Sequence, residues 1–128
     1  KIFLMAGIND ITGGKESAAI AANIARMADM VHDAVPGCSL YIQSVLPVST
    51  VRLAYPYMKG HNAKVAAVNA RLRELCAERA WCTFVDIAPL LSDEKGELRK
   101  ELTKDGIHLQ PAGYVIWSDY LKKLKYLR

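Results

Sequence analysis

Three short apolar runs, each followed by a stretch whose apolar residues recur at helical spacing, constrain this chain more than any other feature. Ile2 to Ala6 is apolar throughout and closed by Gly7, the pattern of a strand buried on both faces of a parallel sheet. Ser39 to Leu46 is β-prone through Leu40, Tyr41, Ile42 and Val45. Pro47 ends its pairing, because proline has no amide to donate to a ladder. Thr83 to Ile87 is the third run. Ile20, Ile24, Met27, Ala28 and Val31 predict a helix from Lys15 to about Asp33, stopped by Pro36-Gly37. Val65, Val68, Leu72, Leu75 and Cys76 predict a second, from Asn62 to about Arg79. Pro111 opens a third, with Tyr114, Trp117, Leu121 and Leu124 as its stripe. Ile8 to Gly14 and Val48 to Gly60 read as loops, and Asp93 to Lys104 as a charged connection broken by Gly96. Strands alternating with helices argue for an α/β class with a parallel sheet covered by helices.

At 128 residues this is the size of one domain, spanning residues 1–128. With 52% hydrophobic and 23% charged residues and no apolar run near the ~20 residues that cross a bilayer, neither bulk disorder nor a membrane span is expected. The net charge of +4 is scattered except for Lys122, Lys123, Lys125 and Arg128. Such a cluster suits a helix C-terminus, and no basic stripe or reading module points to nucleic acid. Cys38, Cys76 and Cys82 show no C-x-x-C spacing, so neither a disulfide framework nor a zinc site is expected. His32 falls near the end of the first helix and His61 at the start of the second, and with His108 they share no ligand spacing. The chain opens at Lys1 and runs straight into a strand, so it reads as a cut piece. A three-stranded sheet is small, and its first strand is expected to meet a missing N-terminal segment or a second copy.

Two motifs carry chemistry. Gly7-Ile8-Asn9-Asp10 follows the carboxyl end of a strand, where open α/β sheets place ligands. An Asn there can aim its amide N–H at a developing oxyanion, and Gly7 permits a tight turn. The plainer reading has Asn9, Asp10 or Thr12 capping the next helix. Asp105-Gly106-Ile107-His108 precedes the last helix. A carboxylate three residues before a histidine can hold its Nδ1–H, leaving Nε2 as general base and then acid. Its plainer reading is a turn.

The two motifs, in order and in strand-to-helix loops, resemble blocks III and V of the SGNH (GDSL-like) hydrolases. The match runs through "KIFLMAGIND", "YIQSVLPVS", "FVDIAPLL" and "DEKGELRKELTKDGIHLQPAGYVIW", covering nearly the whole chain. The resemblance implies a three-layer α/β/α fold with a flavodoxin-like parallel sheet, incomplete at the N-terminus. It implies Asp105 and His108 as triad members, Asn9 as an oxyanion-hole donor, and Gly7 and Asp10 in supporting places. The implied activity is hydrolysis of a small-molecule acyl ester, carbohydrate acetyl esters and lipid-like esters included, through an acyl-serine and without metal or other cofactor.

The departure is the family's opening strand and its Gly-Asp-Ser nucleophile block, which this sequence lacks. Ser17, Ser39, Ser44, Ser49, Ser92 and Ser118 have no such context, so the nucleophile is expected outside this chain. Loss of a catalytic serine costs about a millionfold in rate, which predicts a nearly inert isolated chain. Tyr55, Tyr57 and Met58 read as a packed loop or as the wall of an acyl or sugar pocket. The rival from another class is a non-catalytic α/β binding or assembly module. A nucleotide binder would need a glycine-rich phosphate loop, and there is none.

Overall fold

The computed structural model describes residues 1–127, so Arg128 of the cationic cluster lies outside it. All three expected strands form, as β1 (Ile2–Leu4), β2 (Leu40–Gln43) and β3 (Cys82–Val85). They pair in parallel in the order β1-β2-β3, with Ile2 opposite Leu40 and Leu40 opposite Cys82. The helices are α1 (Ile8–Thr12), α2 (Ser17–Ala34), α3 (His61–Ala77), α4 (Ala88–Leu91) and α5 (Pro111–Lys123), with 3-10 turns at Pro56–Met58 and Lys100–Leu102. Parallel pairing requires a long crossover between strands, and α2 and α3 supply it. The class is therefore α/β. Leu40 and Ile42 are buried and so are their neighbours Tyr41 and Gln43, so β2 is covered on both faces, as the middle layer of such a fold must be.

The chain divides into two compact units, one of Lys1–Val45 with Ala63–Asp86, the other of Leu46–Asn62 with the residues from Ile87 on. The first contains the sheet. Ile20, Ile24 and Ala28 of α2 and Val65, Val68, Leu72 and Leu75 of α3 pack with Leu40 and Ile42 into its core. The last bond from this segment to β3 is Ser44 N–H to Val85 O at 3.0 Å, and the side chain of Asn69 then takes over: Val45 N–H donates to its Oδ1 at 2.8 Å, and its Nδ2 donates to Val45 O at 2.9 Å. Two backbone groups that would otherwise be buried without partners are satisfied by one amide.

The second unit is organised around Leu91, Leu98 and Leu102, with Leu46, Leu90, Leu109 and Ile116 against them. Asn62 treats Val48 as Asn69 treats Val45, with bonds of 2.7 and 2.9 Å. The stretch 93–104, expected as a plain charged connection, is folded. Asp93 Oδ1 accepts the N–H groups of Lys95 and Glu97, Ser92 bridges to Leu98, and Thr103 bridges to Leu109.

Three expectations are corrected. The stretch 8–14, read as a loop, contains α1. α5 buries Gly113 and Leu121, while Tyr114, placed in its stripe, is exposed. Ser44, placed in a strand, lies just past the end of β2.

Candidate active site

The loop of Asp105 and His108 is built by its own backbone and by the segment 49–54. Gly106 has φ +87°, a left-handed conformation that favours glycine, and a Cβ there would stand 2.8 Å from both Leu53 Cα and Ser49 O. The fit is two-sided: Ser49 N–H donates to Gly106 O at 2.8 Å and Ala54 N–H to Asp105 O at 2.9 Å. Gly106→Ala combines an unfavourable φ with backbone overlap that no rotamer relieves, so we expect it to destabilise the protein by about 2–4 kcal/mol, read as a lower urea midpoint.

Within that loop Asp105 is surrounded by donors. Its Oδ1 accepts Ile107 N–H and His108 N–H, each at 2.9 Å, and the Thr103 hydroxyl at 3.3 Å. Its Oδ2 lies 2.6 Å from His108 Nδ1. An ionised carboxylate can only accept, so Nδ1 carries the proton and Nε2 is the basic nitrogen. The His108 side chain is 76% exposed, which leaves Nε2 open to a reactant.

The hydrogen bond from His108 holds the Asp105 carboxyl well below the usual carboxylate range. The backbone N–H groups of His108 and Ile107 and the charge of the imidazolium act in the same direction, and partial burial opposes them. With its folded value depressed, Asp105 contributes stability above about pH 3.9, where an unfolded Asp is ionised, and that contribution is lost as the pH falls through the lower folded value. A carbon-detected NMR titration should place the Asp105 midpoint below ~3.9, and His108→Ala should move it upward by removing the largest cause.

Thr103, which the sequence reading passed over, is 3% exposed; besides its bond to Asp105, its hydroxyl accepts Gly106 N–H at 2.9 Å. The local signal is a hydroxyl two residues ahead of Asp-Gly, a pattern that closes turns.

Gly7, Asn9 and Asp10 belong to the first unit. Gly7 has φ +133°, and a Cβ on it would stand 3.0 Å from Val45 Cγ2, so both backbone and packing call for glycine. Its carbonyl accepts Ile11 N–H at 2.9 Å and starts α1. Asn9 is exposed inside α1, and Asp10 pairs with Lys15 at 2.6 Å. Neither caps α2, whose N-cap is Glu16, and Thr12 donates to Ile8 O, so the helix-cap reading is not what the structure shows. Tyr57 is 64% exposed and Tyr55 39%, with ring centroids 5.9 Å apart, whereas Met58 is buried.

The GDSL-like Lipase/Acylhydrolase family matches residues 1–116. Among solved structures, a Streptococcus pneumonia protein named for platelet activating factor is similar at TM-score 0.85 and 31% identity, over 96% of this chain and 58% of that one. A GDSL-like lipase from Bacteroides thetaiotaomicron VPI-5482 is similar at TM-score 0.76 and 29% identity, over 98% of this chain and 62% of that one. A carbohydrate esterase family 3 protein from Talaromyces cellulolyticus shares the fold at TM-score 0.68 and 19% identity, over 98% and 59%. This chain thus spans 58–62% of the length of these structures. No curated protein matches it. With a match that takes in all five strand-to-helix and helix-to-strand turns of the sheet and the Asp105–His108 loop, the chain belongs to the GDSL-like lipase/acylhydrolase family.

Proposed function

We propose that this chain supplies the acid and base of a Ser-His-Asp esterase whose serine lies outside it. The 2.6 Å bond between Asp105 Oδ2 and His108 Nδ1, with the ring exposed, carries this reading. His108 Nε2 takes the proton from the serine hydroxyl as the oxygen attacks the ester carbonyl, then returns it to the leaving alcohol. Water, activated by the same nitrogen, releases the acid from the acyl-serine. Asp105 keeps the ring in the tautomer with Nδ1 protonated and stabilises the imidazolium; it stays ionised throughout. Asn9 donates its amide N–H to the oxyanion. The substrate class is a small acyl ester, and acetyl esters of carbohydrates are the first to try, since one protein of this fold is named a carbohydrate esterase.

β1 stands at an edge of the observed sheet, and in this reading the serine-bearing segment or a second copy pairs with it. A stable monomer with that edge bare, seen by light scattering of this chain, would contradict the pairing.

The reading is tested with p-nitrophenyl acetate, using this chain and a form extended upstream to restore the serine-bearing segment. Turnover by the extended form with the short chain nearly inert supports it. An extended form inactive on this and other acyl esters would overturn it in favour of a binding or assembly module.

A further inference from the structure

Cys76, in the last turn of α3, and Cys82, the first residue of β3, point their side chains at one another in the core of the first unit, Sγ to Sγ 2.9 Å. This is only ~0.9 Å beyond a covalent S–S bond of about 2.05 Å. The third cysteine, Cys38, takes no part in the contact. Cysteines six positions apart belong to no recognised spacing motif, so the sequence does not announce the pair.

The five residues joining them hold the arrangement in place. Arg79 N–H donates to Cys76 O at 3.1 Å and Cys82 N–H to Arg79 O at 2.9 Å, so the link is two successive tight turns. The Arg79 guanidinium grips both carboxylate oxygens of Asp29 on α2, at 2.8 and 3.2 Å. The Trp81 ring is stacked on His32, also of α2, with centroids 4.1 Å apart. Trp81 O receives Leu40 N–H at 3.2 Å, which ties the turn to β2. The sulfurs need close by only about 0.9 Å to reach bonding distance, within a turn held on both sides.

We propose that Cys76 and Cys82 are a disulfide-forming pair, a covalent staple between the end of α3 and the start of β3. The oxidant is a small disulfide. Both residues are buried, Cys82 slightly less so at 8% against 5%. Hydrogen bonding from Cys76, with help from the Arg79 charge, lowers its pKa and favours its thiolate, while burial opposes this. The Cys82 thiolate attacks one sulfur of the oxidant and expels a thiolate. Cys76, losing its proton, then attacks Cys82 Sγ and expels the second. Two protein thiols and one disulfide become one protein disulfide and two small thiols, and the two protons pass to the departing thiolates.

The test is peptide mapping of this chain after equilibration with oxidised glutathione and alkylation of the remaining thiols. Trypsin cuts after Arg73, Arg79 and Lys95, so the staple joins peptide 74–79 to peptide 80–95, while Cys38 is recovered alkylated. That linked pair, absent after dithiothreitol, is the expected result, and the oxidised chain should melt about 5–10 °C above the reduced one. Cys38→Ser should leave the linked pair unchanged. Cys76 and Cys82 both recovered alkylated, either one recovered only as a stable glutathione adduct, or either one joined to Cys38 or to a second chain would overturn the proposal.

Discussion

Replacing His108 with alanine in a form of the protein that carries the serine will abolish ester hydrolysis to within a factor of about a million of the parent rate, the loss that follows removal of the histidine from a serine-protease triad. The argument rests on which nitrogen is available. Nδ1 is committed to Asp105 at 2.6 Å, and Nε2 is the remaining base on an exposed ring. Without it the serine hydroxyl must lose its proton to water and the alcohol must leave without an acid. Stability should fall only by what the bond to Asp105 contributes, because a side chain 76% exposed covers little core. The kcat for p-nitrophenyl acetate, measured beside a urea melt, separates the two effects; a variant that keeps more than about a hundredth of the parent kcat would show that another group is the base.

Asp105→Asn is expected to reduce kcat by about ten-thousandfold while preserving the shape of the loop. The direction comes from counting donors. Three groups point at Oδ1: the N–H groups of Ile107 and His108 and the Thr103 hydroxyl. An asparagine must therefore turn its carbonyl oxygen to that side, which aims its NH2 at His108 Nδ1. That nitrogen must then accept, the ring proton moves to Nε2, and the base is occupied in its resting tautomer. A heteronuclear spectrum of the imidazole nitrogens in Asp105→Asn should report the exchanged tautomer, and an unchanged one would refute the mechanism assigned to Asp105.

Elements whose pattern repeats over several turns are legible in the sequence. Ile20, Ile24 and Ala28 mark α2, Val65, Val68 and Leu72 mark α3, and all six are buried. α1 and α4, at five and four residues, are too short to display a period, and α4 carries Pro89 in its first turn. On α5 the apolar residues outnumber the places in the core, so periodicity alone could not tell that Tyr114 faces outward. The bond between Asp105 and His108 is readable because it is local, a spacing of three across a glycine. The seat that Ser49, Leu53 and Ala54 make for Gly106 joins segments some fifty positions apart, and no local pattern encodes it. Thr103 lies between the two cases: its position is suggestive, but its burial depends on the fold.

Asp105 and His108 sit within one four-residue stretch, and both oxygens of the carboxylate accept hydrogen bonds from inside residues 103–108. Their alignment is therefore insulated from drift elsewhere in the molecule. Such a module tolerates experimentation around it. The neighbouring stretch that bears Tyr55 and Tyr57 meets it through main-chain atoms of Ser49, Leu53 and Ala54, while both tyrosine side chains are exposed. Under the proposed esterase reading, exchanging Tyr55 or Tyr57 should alter which esters are accepted and leave the Asp105–His108 bond as it is.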